Sequence, residues 1–399
     1  MKIIRDPIHG YIEVPDDILP VISSPFFQRL RFISQTGLAY MVYPGMRHTR
    51  FEHSLGAMHL AKEFLHYISS NSKIDFLTED YAKLISLSAL LHDIGHVAFS
   101  HTFESALQVT RDVYKEKIEY YGKETHVKYG LRLISKYSYL IDKIGKNSNI
   151  SDPVKFMINV IGSNPTNEEE KFALQIISNF VDADRGDYLL RDSYYAGVGY
   201  GSYDIERLKR VLVYVDGKIA ILKKAIPIVE QFLLARMYMF KNVYFHSVVG
   251  MYNAILSHAI SKLIRQNKID LNKIEEITDY KILNMIEETE FKQPILYRSG
   301  YKRIKKDLTQ ECSNVIDKEE LMELMRETEG KIIYYEFFDV PYKEENEAIY
   351  IYDEGKLSPL SQFSNLITAI RDLKKAIIVY HHSMEDKMRK YYEKLKEAC

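Results

Sequence analysis

The stretch from Tyr81 to Glu104, YAKLISLSALLHDIGHVAFSHTFE, limits the fold more than any other part of the chain, because a strongly apolar segment runs straight into His92, Asp93, His96 and His101. Leu84, Ile85, Leu87, Leu90 and Leu91 recur at spacings of one, two and three residues, which buries most of a helix rather than one stripe of it. Thr78 as cap, with Glu79 and Asp80 in the first turn, marks the start, since hydroxyl and carboxylate oxygens suit the free N–H groups there. Gly95 is expected to end it by taking the left-handed backbone. A buried helix that opens into imidazole and carboxylate implies a central helix beside a cavity, with donors suited to a divalent metal of intermediate hardness. A His-Asp pair alone is more often a cap or a solvated group, so the rest of the chain must supply the case.

At 399 residues the chain can bury a large core, either as two or three domains or as one helical core with an appendage. Lys and Arg number 54 against 55 Asp and Glu, a net charge of −1, which removes any whole-chain electrostatic argument for nucleic acid. Two cysteines, Cys312 and Cys399, make no disulfide framework and imply a reducing interior. Arg5 and Asp6 stand where a signal peptide needs apolar residues, and no run of about 18 apolar residues occurs, so a soluble, cytoplasmic chain without a membrane partner is expected.

The expected fold is mainly α: a helical core over 1–265 with a small β-hairpin, then an α+β appendage over 266–399. Turn signals at Asp6-Pro7 and His9-Gly10 predict a lead-in hairpin, and Asp216-Gly217 a second one. His53 is expected to head a helix carrying Leu55, Met58, Ala61, Leu65 and Ile68 at three-four spacing. One helix from about Phe172 to Gly199 would put Asp184, Tyr188 and Asp192 on one face, and a long helix over roughly 227–265 would do the same for Arg236, Phe240 and Tyr244. KIIYYEFF, EAIYIYD and KAIIVYHH read as strands of the appendage, and His381-His382 as exposed.

His53, His92-Asp93 and Asp184 follow the order H…HD…D, and the chain resembles the HD superfamily of metal-dependent phosphohydrolases. DPIHGYIEV, FQRLRFISQTG, PGMRHTRFEHSLG, LLHDIGHVAFSH and VDADRGDYLLRDS are similar to its deoxynucleoside triphosphate triphosphohydrolase branch, over residues 1 to about 250. The resemblance implies an HD-type helical core and hydrolysis of deoxynucleoside triphosphates to deoxynucleoside and triphosphate. His53, His92, Asp93 and Asp184 would hold one divalent ion, whose identity among Mg, Mn, Fe, Zn, Ni and Co the residues do not distinguish, with room for a second Mg carried by the substrate.

By the same resemblance His101 is the general acid to the sugar oxygen, with Glu104 orienting it, and His96 and His126 face phosphate. Val127 follows His126 where the family has an acidic residue. Arg50 would grip phosphate; Arg185 stands for a lysine; Gln35 and Thr36 would meet the sugar, Thr36 replacing a leucine; Tyr188, Asp192, Arg236 and Tyr244 would complete the sugar and phosphate contacts. Lys2, Gln28, Arg31, Val42, Tyr43, Arg207 and His246 resemble a nucleotide effector pocket between subunits of a homotetramer held partly by residues 1–45. Ser23, Asn242 and Ser247 replace its guanine-reading aspartate, an arginine and a lysine, so strict guanine dependence is not expected. Two other functions compete: an HD phosphohydrolase of another nucleotide, such as guanosine tetraphosphate or a nucleoside monophosphate, and a nucleic-acid-binding protein with a vestigial site. The full ligand set speaks against the last.

Overall fold

The structure, a computed structural model, describes residues 1–145, 150–304, 317–344 and 348–398; Cys312 and Cys399, on which the redox expectation rests, lie outside the described residues. The chain is mainly helical. The helices that frame the site are α1 (Arg50–Asn71), α2 (Glu79–Leu91), α3 (His101–Asp112), α4 (Thr125–Lys136), α5 (Glu168–Ile177), α6 (Ala183–Ala196), α7 (Ile226–Met239), α8 (Ser247–Arg265) and α9 (Asp279–Ile286). The strands are β1 (Lys2–Asp6), β2 (Gly10–Val14), β3 (Leu212–Val215), β4 (Lys218–Leu222), β5 (Tyr301–Arg303), β6 (Ile332–Asp339), β7 (Tyr350–Asp353), β8 (Lys356–Pro359) and β9 (Leu373–His381). Among the described residues they form three small sheets, ordered β1-β2, β3-β4-β7-β8 and β5-β9-β6.

The apolar stretch becomes α2. Thr78 Oγ1 accepts from the backbone N–H of Tyr81 at 3.3 Å, and the five leucines and isoleucines named above are at most 3 % exposed. α2 packs on α1, which begins three residues ahead of His53 because Thr49 and Glu52 form a capping box. His53 therefore sits one turn inside its helix rather than at its head.

Gly95 serves a different purpose from the one expected. Its φ is not positive and α2 has already ended at Leu91. A Cβ at Gly95 would stand 1.9 Å from His126 O and 2.2 Å from Gly130 N, so the missing side chain is what lets α4 lie against the turn after His92-Asp93.

Both long helices expected from periodicity are broken. Between α5 and α6, Asp182 accepts from the backbone N–H groups of Arg185 at 2.6 Å and Asn179 at 2.8 Å, a local bond that competes with helix and opens a new N-terminus there. The second break is a π-turn at Phe240–Tyr244, after which His246 caps α8 by accepting from Val248 N at 3.3 Å. The turn rotates Tyr244 away from a simple four-residue repeat with Arg236.

Past residue 265 the chain folds back on what precedes it. β4 and β7 pair in parallel, with Ala220 opposite Tyr350 and Leu222 opposite Tyr352. β6 runs along α8 at Gly250, where a Cβ would meet Phe337 Cζ at 2.0 Å. Among the described residues no helix is long and apolar enough to cross a membrane.

Candidate active site

Three elements meet at the first cluster: α1 supplies His53, the turn after α2 supplies His92 and Asp93, and the first turn of α6 supplies Asp184. His53 Nε2 lies 3.0 Å from Asp184 Oδ1 and 3.4 Å from Asp93 Oδ2; His92 Nε2 lies 3.4 Å from an oxygen of each carboxylate. The opposite ring nitrogens are already committed, His53 Nδ1 donating to Asp187 at 2.8 Å and His92 Nδ1 to Ala89 O at 2.7 Å. This fixes the tautomers and leaves both Nε2 atoms buried without an aligned hydrogen-bond partner. Buried orphan nitrogens beside paired carboxylates fit a divalent cation held by two nitrogen and two oxygen donors. The charge balance agrees. Burial works to lower His53, yet Asp184, Asp187 and Asp93 raise it well above the usual imidazole range, so the cluster favours a positive charge beside it.

Behind His53 stands a buried network. Asp187 Oδ1 accepts from His9 Nε2 at 2.7 Å and from Arg191 at 2.8 Å, its Oδ2 also accepts from Arg191 Nε at 2.8 Å, and Arg191 reaches Asp6 at 2.8 Å. Asp187 and Arg191 are fully buried, and α1 has Gly56 opposite them because a Cβ would come within 1.9 Å of Asp187 Oδ1. His9, Asp187 and Arg191 are not among the residues expected at the site from sequence. Their signal was available: Asp187 follows Asp184 by three residues, Arg191 follows Asp187 by four, and the DPIH turn carries Asp6 and His9.

The second cluster is built on Glu104 of α3. Its Oε2 bonds His101 Nδ1 at 2.8 Å, while its Oε1 takes both His126 Nδ1 at 2.7 Å and the His126 backbone N–H at 3.1 Å. One carboxylate thus orients two imidazoles, and the acid that Val127 does not provide comes from Glu104. Burial opposes its ionisation, but His101 and His126 hold it well below the usual carboxylate range. His96 stacks on His126 with centroids 4.1 Å apart; burial, then Arg50 and His126, keep it well below the usual imidazole value and so neutral. The backbone entering α3 is strained: Phe99 and Ser100 have φ of 58° and 54°. Asp279 holds it there, its carboxylate accepting from Phe99 N at 2.6 Å and Ser34 N at 2.9 Å, with burial pushing its pKa up to about 6.

Both clusters open on one cavity of about 580 Å³, lined also by Gln35, Thr36, Arg50, Tyr188, Asp192 and Tyr244. Arg50 bonds Asp93 and donates to Ser100 Oγ at 2.9 Å. Asp192 takes Tyr244 OH at 2.7 Å and His48 Nε2 at 2.6 Å. Gln35 Oε1 and Thr36 Oγ1 are buried with no partner. Two expected contacts are placed otherwise. Arg185 bonds Asp182 and Asn179 O, and Arg236 pairs with Asp339 through both carboxylate oxygens, at 2.9 and 3.0 Å, while donating to Tyr188 OH at 2.6 Å. Neither arginine lines the cavity. Of the expected effector residues, Tyr43 and His246 meet edge to face at 5.9 Å and Gln28 bonds Arg31 at 2.9 Å, while Lys2 is on β1, Val42 ends a short helical turn, and Arg207 reaches Lys224 O at 3.4 Å.

The HD domain model matches residues 50–188 and the HD associated region model matches residues 203–387. An uncharacterized protein of Methanocaldococcus jannaschii is 33% identical over 91% of this chain and 76% of its own length. The chain belongs to the HD-domain family. A Dictyostelium discoideum protein named as a deoxynucleoside triphosphate triphosphohydrolase SAMHD1 homolog is 32% identical; the match takes in 75% of this chain and 57% of that protein, so the HD chain spans little more than half the length of that relative. The crystal structure of a hypothetical protein from Aquifex aeolicus superimposes with a TM-score of 0.78 at 29% identity, over 98% of this chain and 99% of that one. His53, His92, Asp93 and Asp184 all fall inside the HD match, whereas Arg236, Tyr244 and β6 fall inside the HD associated region. The cavity is walled by both.

Proposed function

We propose that this HD-domain protein is a metal-dependent phosphohydrolase that converts deoxynucleoside triphosphates to deoxynucleoside and triphosphate. The observation that carries the reading is the pair of buried, unpartnered Nε2 atoms of His53 and His92, set against Asp93 and Asp184 in a cavity that also presents Tyr188, Asp192 and Tyr244. A divalent ion on these four residues would stabilise charge on the transferring phosphoryl group. The chain's own groups do the rest. Arg50, tied to Asp93 and Ser100, holds a preorganised fork toward phosphate. His101, its Nδ1–H committed to Glu104, would as an imidazolium deliver the Nε2 proton to the sugar oxygen as water attacks the α-phosphorus and the P–O bond breaks. Gln35 and Thr36 offer unpaired polar atoms to the sugar, and Tyr188 a flat barrier at the 2′ position.

The test is an assay with added divalent metals over the four deoxynucleoside triphosphates and the ribonucleotides, with products identified. Triphosphate release with a preference for deoxyribose is expected; equal rates on GTP and dGTP would refute the sugar preference, and phosphate or pyrophosphate as product would refute the reaction. A second reading, a nucleoside monophosphate as substrate, draws on the Arg236–Asp339 pair, which withholds one guanidinium from a phosphate chain.

His101→Ala should lower kcat about a hundredfold with little change in KM, as for a group that acts in the transition state. Glu104→Gln should cost at least as much, because its carboxylate holds His126 as well. Steady-state kinetics that moved only KM would remove the acid role. We also propose a homotetramer that binds nucleotide effectors at Tyr43 and His246 without an absolute need for GTP; a monomer by light scattering with and without nucleotides would exclude it.

A further inference from the structure

Among the described residues six carboxylates line the cavity, Asp93, Glu104, Asp184, Asp192, Glu336 and Asp339, although the ligand proposed above is a polyanion. Five are accounted for. Asp93 and Asp184 face the metal-site imidazoles, Glu104 binds His101 and His126, and Asp192 accepts from Tyr244 and His48. Glu336 bonds Lys318 Nζ at 2.6 Å and Tyr334 OH at 2.7 Å. Asp339, the last residue of β6, instead takes Arg236 Nη2 on both of its oxygens from the cavity side, while Nη1 donates to Tyr188 OH and Nε to Pro341 O. Arg236 is 7 % exposed, stacks over Phe240 at 4.4 Å and does not itself reach the cavity wall. A carboxylate oxygen and a phosphate oxygen accept from the same charged N–H, so Asp339 stands where a phosphate oxygen would bond Arg236 Nη2. The carboxylate is not deeply stabilised in place: burial pushes its pKa up, and Arg236, Lys123 and Arg185 only partly offset that.

Resting on the phosphohydrolase reading, we propose that Asp339 is a specificity-determining residue that selects for a phosphate chain. It occupies Arg236 Nη2 until a distal phosphate of the bound substrate displaces it, so a polyphosphate gains Arg236 and a monophosphate, anchored at the metal site, does not. The HD associated region thereby sets how many phosphates the HD site accepts.

Calorimetric titration of the full chain with inorganic tripolyphosphate and, separately, orthophosphate tests this without any nucleotide. Asp339→Asn should tighten tripolyphosphate about tenfold and orthophosphate by less than about twofold, and adding Arg236→Gln should cancel the gain. No gain, an equal gain for both anions, or a gain that survives Arg236→Gln overturns the proposal. Should Asp339→Asn fail to fold, hydrogen exchange on the unmodified protein decides: tripolyphosphate must speed exchange over residues 336–342, and unchanged or slower exchange overturns it. Because neither readout needs turnover, a chain that hydrolyses no deoxynucleotide yet shows these shifts would sink the substrate reading and leave this one standing.

Discussion

Asp93→Asn is expected to leave less than about a thousandth of the wild-type turnover, since at 1.36 kcal/mol per decade the loss of roughly 4 kcal/mol of charge stabilisation at the phosphoryl group amounts to three decades. Asp93 is the residue on which the cluster converges: its oxygens lie within 3.5 Å of His53, His92 and His96, and Arg50 bonds it directly. Burial alone would raise its pKa, but Arg50 first and then His92 hold it well below the usual carboxylate range, so it faces the imidazoles as an anion. Asparagine keeps the shape and removes the charge. Alanine is the poorer probe, because Arg50 is 4 % exposed and would be left as a buried cation with its carboxylate gone, a change that costs about 3–5 kcal/mol in comparable buried pairs. Metal analysis of the purified variant should show the bound ion lost along with activity. A stoichiometric ion retained by Asp93→Asn, with turnover intact, would overturn the ligand assignment.

What could be read from the sequence follows the range of the interactions involved. α2 was legible because five apolar residues, a threonine cap and two acidic residues all act within their own helix. The hairpins at His9-Gly10 and Asp216-Gly217 were legible for the same reason, each turn being set by a glycine with φ of 74°. The breaks were not. Asp182 stops a helix by bonding two nearby backbone groups, and the π-turn at Phe240–Tyr244 leaves the apolar periodicity almost unmarked. Gly95 was noticed for the wrong property, since nothing in its neighbourhood announces that α4, some thirty residues on, will lie against it. The same limit hid Asp339. Its partner is 103 residues away, and β6 carries no motif that ties it to Arg236.

Arg191→Met should destabilise the fold by about 3–5 kcal/mol, the usual cost of removing one partner from a buried ion pair. Arg191 is fully buried and its guanidinium serves two carboxylates, Asp187 through two bonds and Asp6 through a third, all at 2.8 Å. Methionine fills much of the volume and supplies no charge, so Asp187 is left an anion at zero exposure with only His9 and His53 to answer it. The loss has a definite pH dependence. Burial would raise Asp187, but Arg191 first and then His53 and His9 hold it well below the usual carboxylate range. A carboxylate depressed in the fold contributes its full stability above the unfolded value of about 3.9 and loses it as the pH falls through the lower folded value. The gap between wild type and Arg191→Met in urea melts should therefore be complete at neutral pH and narrow below about pH 4. Activity should fall as well, by about 10–100-fold under conditions where the variant is folded, because Asp187 is what keeps the His53 tautomer with Nε2 free. A variant as stable as wild type at neutral pH would mean that the Asp6–Arg191–Asp187 network does not hold the β1-β2 hairpin to α6. A destabilised variant with undiminished turnover would mean that the network supports the fold without tuning His53.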